Sequence, residues 1–142
     1  MFLINIRSGG FINIQANENS PQIMFKSIIA DPIPEDVTDL EGASLYWQGY
    51  AAYFRFQATD KFIPQLLENH KEFPCGSADI KSYLKKQDTM KGHLNFWTVD
   101  TVKNPACYKS IENYKNKATH SGGDIILLDK NNNVVYFYGW GC

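Results

Sequence analysis

The sequence predicts an α+β fold, a single domain over residues 1–142 with two or three short helices packed on an antiparallel sheet. Three observations predict it: a dense apolar run at residues 43–57, a helical pattern that follows it, and two β-rich runs near the C-terminus. The composition agrees, since 44% hydrophobic and 20% charged residues over 142 positions are typical of a globular protein.

Residues 43–57 form the longest dense aromatic and apolar run, with no proline and no acid. Both alternating faces are mostly apolar, which fits a central strand covered on both sides. Gly49 interrupts the run, as a bulge or as a tight turn that divides it into two strands. We expect the following helix to cross this strand and to build one core cluster of large apolar residues: Phe54, Phe56, Phe62, Leu66 and Leu67.

The first element, residues 1–16, is predicted to be a β-hairpin. Two short alternating runs flank a turn at residues 8–10, of sequence Ser-Gly-Gly. The alternative is a degenerate export signal that ends at residues 14–16. The hairpin is favoured because Arg7 and the glycines interrupt the apolar core that a signal requires.

Three helices are predicted next. Apolar spacing indicates a short helix over residues 24–29, which a proline-rich segment ends. Thr59 or Asp60 is the expected N-cap of a second helix whose apolar face runs to His70. Ser77 is the expected N-cap of a third helix, which has a narrow apolar stripe.

The remaining strands are predicted from short β-rich runs. Residues 93–99 are interpreted as a short aromatic strand, and residues 108–118 fit a helix as well as a strand. Residues 125–128 and 134–138 are predicted to pair as a hairpin with a polar loop.

Charge and hydropathy give no sign of nucleic-acid or membrane binding. The formal net charge of -1 offers no basic surface for a nucleic acid. No apolar run approaches the ~20 residues that a membrane-spanning helix needs.

The cysteines and histidines predict no metal site and no cofactor. Cys75, Cys107 and Cys142 form no C-x-x-C motif, and the three histidines show no metal-ligand spacing with them. A zinc site would therefore have to be assembled from distant segments. A disulfide between Cys75 and Cys107 is the alternative to free thiols, and it requires an oxidising compartment.

The segment Thr119-His120-Ser121-Gly122-Gly123-Asp124 is the best candidate for a catalytic loop, because histidine, serine and aspartate occur together in acyl-transfer enzymes. Neighbouring residues rarely point their side chains at one another, and no G-x-S-x-G motif is present. A glycine turn before a strand is the simpler interpretation.

An acidic segment followed by aromatic residues is the predicted binding site. Four acids precede the apolar run, and three aromatic residues within it are candidate interface anchors. The set is Glu35, Asp36, Asp39, Glu41, Tyr46, Trp47 and Tyr50. The alternatives are a solvated surface for the acids and a place in the core for the aromatic residues.

Several segments, at residues 25–42, 47–58, 61–67, 104–108 and 119–139, resemble small uncharacterised bacterial proteins, many of them lipoprotein-like. The shared features are a P-I-P-x-x-V start and a V-Y-F-Y-G end. The resemblance implies a fold but no catalytic residues. It favours the cell envelope or periplasm, with the cytoplasm as the alternative. The chain departs from the lipoprotein pattern in having no cysteine near its N-terminus to carry a lipid, which argues against a lipid anchor.

The sequence therefore predicts a non-enzymatic binding or inhibitory protein whose partner is another protein. An immunity protein against a bacterial toxin is the sharpest form of this hypothesis, by analogy with proteins of similar size and build. The alternative is a small hydrolase or thiol enzyme that uses Cys107 or Ser121 with His120.

Overall fold

A computed structural model describes residues 2–5, 11–15, 20–46, 50–86, 94–110 and 122–141 of the chain. The described part contains three α-helices and one antiparallel sheet, an α+β fold as predicted. The elements are β1 Phe2–Asn5, β2 Phe11–Gln15, α1 Ser20–Ile28, β3 Thr38–Tyr46, β4 Tyr50–Gln57, α2 Phe62–Asn69, β5 Phe73–Cys75, α3 Ser77–Lys86, β6 Ala106–Ser110, β7 Gly122–Asp129 and β8 Val134–Gly141.

The eight described strands form one sheet in the order β1-β2-β3-β4-β8-β7-β6-β5. Every neighbouring pair is antiparallel. The strand β8 lies between β4 and β7, so it joins the two halves of the sheet. The pairing of β1 with β2 lies where the sequence predicts the N-terminal hairpin.

The apolar run at residues 43–57 contributes to two strands of a hairpin. β3 and β4 pair antiparallel from Tyr46 opposite Tyr50 outward, with Gly49 in the segment between them. The run is therefore divided between two paired strands and is not one continuous strand, and the predicted turn or bulge at Gly49 lies outside the described residues. Alternation then places Phe54 and Tyr53 on opposite faces of the sheet.

One face of the sheet is covered by α1 and α2, and we call it the α1–α2 face. Phe25 of α1 packs edge-on against Phe54 and Phe56, with ring centroids 6.0 and 5.4 Å apart. The predicted core cluster is confirmed, because Phe54, Phe56, Phe62 and Leu66 are buried together and Leu67 packs against them. The apolar stripe of α2 therefore lies on the sheet, as its periodicity predicts.

The opposite face is covered by α3 and by residues 94–102. Trp97 packs edge-on against Tyr53 and Tyr136, with centroids 5.1 and 5.5 Å apart. The prediction of a strand at residues 93–99 is wrong for the described residues 94–99, which form turns that lead into a short 3₁₀ helix, Val99–Thr101. Local hydrogen bonds such as Trp97 N–H to Leu94 O, 3.0 Å, satisfy this backbone, so its aromatic residues cover the sheet and do not extend it.

The prediction that Thr59 caps α2 is confirmed, because its Oγ1 accepts a hydrogen bond from Lys61 N–H (3.2 Å) and its carbonyl oxygen accepts one from Ile63 N–H (3.1 Å). The regular helix begins at Phe62, and Lys61 makes no side-chain capping bond of its own. Asp36, 26 residues before Phe62, adds a second acceptor: its Oδ2 accepts hydrogen bonds from Phe62 N–H (3.2 Å), Thr59 N–H (3.2 Å) and Thr59 Oγ1–H (2.6 Å). A carboxylate near a helix N-terminus also interacts favourably with the helix dipole.

At the start of α3, as at the start of α2, an aspartate carboxylate accepts a hydrogen bond from a backbone N–H. The helix begins at Ser77, and the carboxylate of Asp79 reaches back to accept a hydrogen bond from Gly76 N–H, 3.2 Å away. Asp79 therefore plays the part that glutamate plays in a capping box, while Ser77 lies one position inside its predicted place.

None of the helices in the described part of the chain is both long and apolar enough to cross a lipid bilayer.

Candidate functional site

A buried group of titratable residues, His70, Glu72 and Asp124, lies on the α1–α2 face, and we call it the polar cluster. The possible ligand atoms of the three residues all lie within 4.8 Å of one another. Two of the residues come from the end of α2 and the third comes from β7. The chain thus brings together groups that are 54 residues apart in sequence.

The end of α2 sets the positions of His70 and Glu72. His70 is the C-cap residue and continues the buried stripe of the helix. Lys71 then takes a left-handed conformation, with φ of 52°. The hydrogen bonds Glu72 N–H to Leu67 O (2.8 Å) and Lys71 N–H to Glu68 O (3.1 Å) are those of a Schellman motif. This motif reverses the chain and directs it to Glu72.

Asp124 enters the cluster from the middle of the sheet. It lies opposite Gly139 on β8 and opposite Ser110 on β6, and Gly139 in turn lies opposite Ala52 on β4. Small side chains therefore surround the position of Asp124 on this face, which leaves room for the ring of His70. Both Asp124 and Ser110 have no exposed surface.

The ring of His70 is held between two oxygens. Its Nδ1 lies 3.2 Å from Oδ2 of Asp124, and its Nε2 lies 3.5 Å from the carbonyl oxygen of Ile29 at the end of α1. Both oxygens only accept hydrogen bonds, so a proton on Nδ1 is donated to Asp124 over the shorter distance and a proton on Nε2 is donated to Ile29 over the longer one. The ring thereby links α1, α2 and the sheet.

The two carboxyl groups repel each other when both are ionised. Burial, together with the neighbouring Asp124, raises the pKa of Glu72 to about 10. A protonated Glu72 donates toward Asp124, whereas an ionised Glu72 meets no donor among the described residues. Oδ1 of Asp124 and Oγ of Ser110 likewise have no hydrogen-bond partner there. The polar cluster therefore needs a proton or a cation to balance it.

Burial limits what the polar cluster can do chemically. His70 is 8% exposed and Asp124 is 0% exposed, so a large substrate does not reach them in this structure. Glu72 is half-buried as a residue, and both of its carboxylate oxygens are shielded from solvent. Such a site suits a proton or a small ion better than a substrate undergoing turnover.

The predicted acidic residues do not act as one surface. Asp36 is engaged at the start of α2, as described above. Asp39 and Glu41, by contrast, line a cleft of about 360 Å³ beside Arg55 and the start of β8, which we call the acidic cleft. Arg55 Nη1 lies 3.8 Å from Glu41 Oε2, and its guanidinium carbon lies 5.8 Å from the ring centroid of Tyr136. Glu35 is exposed nearby in sequence.

The predicted aromatic anchors lie at the other end of the β3–β4 hairpin. Tyr46 and Tyr50 pair at its tip, and Trp47 lies outside the described residues. Five residues of extended strand separate Glu41 from Tyr46, which is about 17 Å. The acids and the aromatic residues are therefore two separate ends of one hairpin.

The alternative catalytic residues are only partly placed. His120 and Ser121 lie outside the described residues. Cys107 is buried and joined to Cys75 in a disulfide between β5 and β6, with Cα atoms 5.1 Å apart. The thiol-enzyme alternative for Cys107 is thus corrected, because a disulfide sulfur carries no thiolate nucleophile.

The polar cluster itself was not predicted as a site. The sequence predicts His70 as a residue of the buried stripe of α2, places Glu72 in a loop, and considers Asp124 only beside His120 and Ser121. One signal was available: a histidine that continues an apolar helical stripe must find a polar partner when it is buried. The sequence does not name that partner.

Comparisons of the chain with protein-family models, curated proteins and solved structures found no match. The similarity of the sequence motifs to small bacterial proteins therefore stays a prediction.

Proposed function

We propose that this chain is a non-enzymatic binding or inhibitory protein and that it binds a protein partner with a basic surface. The observation that carries the proposal is the acidic cleft, which is lined by Asp39 and Glu41 and by Arg55, the ion-pair partner of Glu41. An immunity protein that neutralises a bacterial toxin is the form of this function that we favour.

The backbone at Asp39 supports a role for the acidic cleft in binding. Asp39 has a positive φ of 52°, and the pairing of β3 with β4 shifts register between Thr38 and Glu41. Bulges of this kind redirect side chains at the ends of sheets and often occur beside functional sites. Asp39 is exposed, and it forms no ion pair with another described residue.

The size of an ordinary interface allows both ends of the hairpin to take part. A partner that buries about 800 Å² on this protein covers a patch roughly 30 Å across. The separation of about 17 Å between Glu41 and Tyr46 fits within such a patch. Carboxylates at one end would speed association, and aromatic side chains at the tip would slow dissociation.

The disulfide supports a location in the cell envelope or periplasm. Disulfides such as Cys75–Cys107 form and persist in oxidising compartments and are rare in the cytoplasm. A toxin that enters through the envelope would meet its inhibitor there.

The experiment is to capture the partner from native cells and then to measure the binding kinetics of charge variants by surface plasmon resonance. Replacing both Asp39 and Glu41 by lysine should slow association strongly at low salt and less at high salt, because salt screens exposed charges. Glu68→Lys, on the exposed side of α2, is the control and should leave the association rate close to wild type.

Unchanged association of the Asp39→Lys/Glu41→Lys variant at low salt would show that the acidic cleft is not the docking site. The absence of any captured protein, together with a hydrolase activity that His120→Ala abolishes, would replace the binding hypothesis with the enzyme alternative.

A further inference from the structure

The polar cluster offers three groups that act as metal ligands in other proteins. His70 presents Nδ1, and Glu72 and Asp124 each present a carboxylate, all within 4.8 Å of one another. Imidazole with carboxylates is a ligand set that suits zinc and similar divalent ions. Two ionised carboxylates would also neutralise the charge of a divalent ion, so that the buried site would carry no net charge.

The contacts of the His70 ring fit those of a metal-bound histidine in one of its two tautomers, the one with the proton on Nε2. Its Nε2 faces the carbonyl oxygen of Ile29 at 3.5 Å, while its Nδ1 faces the carboxylate of Asp124. In metal sites the ring nitrogen that does not bind the ion donates its N–H to a carbonyl or carboxylate. With a proton on Nε2, the lone pair of Nδ1 points toward the carboxylate of Asp124, where an ion could bind both groups.

Buried atoms without partners give an independent indication that something else belongs here. Oδ1 of Asp124 and Oγ of Ser110 are buried and have no hydrogen-bond partner among the described residues, and both residues have no exposed surface. Ser110 lies directly opposite Asp124 in the strand register. Native proteins rarely leave such groups unsatisfied, so each one calls for a water, an ion or a shared proton.

We propose that His70, Glu72 and Asp124 bind one divalent metal ion, with zinc as the best match, and that the ion fastens the end of α2 to β7. Zinc bonds of about 2.0–2.1 Å place tetrahedral ligand atoms roughly 3.3 Å apart. The ligand atoms now lie within 4.8 Å of one another, so the most distant pair must approach by up to about 1.5 Å to reach that spacing. A water would supply the fourth position.

The competing account is that protons alone balance the cluster. In that case the raised pKa of Glu72 keeps its carboxyl group protonated, and no metal affinity exists. The two accounts differ in what ZnCl₂ does to the protein, and this difference makes the proposal testable on the full chain.

The test is to strip the purified protein of metal with a chelator, dialyse it and titrate it with ZnCl₂ by calorimetry, with Tm followed in parallel. We expect one zinc ion per chain and a rise in Tm, because a ligand that binds only the folded state stabilises it. Cobalt(II) in place of zinc should give visible ligand-field bands without a thiolate charge-transfer band, which separates this site from binding at Cys142.

Glu72→Gln is the decisive variant, because it copies the uncharged form of Glu72 and keeps its shape. It should fold with wild-type Tm in the absence of metal, lose at least about tenfold in zinc affinity and lose the zinc-dependent rise in Tm. Glu68→Gln, on the exposed side of α2, is the matched control and should bind zinc like the wild type. Asp124→Asn is a second variant that should also lose affinity.

The proposal is overturned if the stripped wild-type protein shows neither zinc binding nor a change in Tm. It is equally overturned if both Glu72→Gln and Asp124→Asn bind zinc with wild-type affinity, since the ion would then lie elsewhere.

Discussion

Asp36 shows how one side chain in a connector determines where a helix begins. It comes from the acidic segment before β3, yet its Oδ2 accepts three hydrogen bonds at the start of α2. The Thr59 hydroxyl is the main reason that the pKa of Asp36 lies below its ordinary value of 3.8. The ionised carboxylate of Asp36 therefore connects the segment before β3 to the start of α2.

We predict that Asp36→Ala lowers the free energy of unfolding at neutral pH by about 1 kcal/mol, the typical cost of a lost N-cap. The cause is the loss of a charged acceptor for Phe62 N–H and for both donors of Thr59. Urea unfolding followed by circular dichroism measures the difference. Glu35→Ala, at the exposed neighbouring acid, is the control and should stay within about 0.5 kcal/mol of wild type.

The same variant has an expected pH dependence. The pKa of Asp36 is lower in the folded state than in the unfolded state, where it is 3.8. The contribution of Asp36 to the free energy of unfolding is therefore complete above pH 3.8 and is lost as the pH falls through the folded-state pKa. The stability difference between wild type and Asp36→Ala should therefore shrink in strong acid. A difference that grows on acidification would contradict this account of Asp36.

At the scale of elements, the end of α2 is held by a residue poorly suited to its conformation. Lys71 occupies the left-handed position of the Schellman motif, where glycine is the usual residue. A side chain with a Cβ costs about 1–2 kcal/mol in this conformation. This unfavourable conformation occurs at the turn that brings Glu72 back toward His70.

We predict that Lys71→Gly raises the free energy of unfolding by about 0.5–1 kcal/mol, because glycine adopts the left-handed conformation without a clash. Chemical denaturation of the purified variant tests this. Lys71→Ala keeps the Cβ and is the matched control, with an expected change within about 0.5 kcal/mol. Equal effects of glycine and alanine would mean that the charge of Lys71, and not its backbone conformation, matters.

The elements were predictable where local pattern and tertiary position agree. The stripe of α2, the hairpin of β7 and β8 and the core around Phe54 follow from periodicity, and the structure has all three. The strand predicted at residues 93–99 failed because aromatic richness also suits a segment that lies across a sheet, as Trp97 does. Asp36 was missed as a cap because hydrogen bonds across 26 residues leave no local pattern.

The whole molecule is held together across long sequence distances, and the disulfide is the clearest case. Cys75 and Cys107 lie opposite each other on β5 and β6, 32 residues apart in the chain. β5 has only three residues and forms one edge of the described sheet. The covalent bond therefore fixes an edge that its own backbone hydrogen bonds would hold weakly.

We predict that Cys75→Ala/Cys107→Ala lowers the free energy of unfolding by roughly 3–4 kcal/mol, because closing a loop of this length restricts the unfolded chain. Guanidinium unfolding of the oxidised wild type and of the double variant measures the loss. A reducing agent should destabilise the wild type and leave the double variant unchanged. Equal stability of the two proteins would mean that the bond contributes nothing to the fold.

The polar cluster could not be predicted from the sequence, because His70 and Asp124 are 54 residues apart in the chain. His70 and Glu72 are near neighbours, but Asp124 reaches them only because β7 lies beneath the end of α2 in the folded sheet. No spacing in the chain reveals that juxtaposition. The acidic cleft was only partly predictable, since Asp39 and Glu41 face it together whereas Asp36 caps a helix.

The place of β8 has a consequence for how the chain is made. It follows every other described strand in the sequence, yet it lies in the middle of the sheet between β4 and β7. While the protein emerges from the ribosome, β4 and β7 therefore each keep an unpaired edge until β8 has been synthesised. Open strand edges of this kind invite pairing with other chains and are natural binding sites for chaperones. Pairing of β7 with β8 supplies the strand that closes β4, so a nascent chain stopped before Val134 would remain a target for cellular quality control.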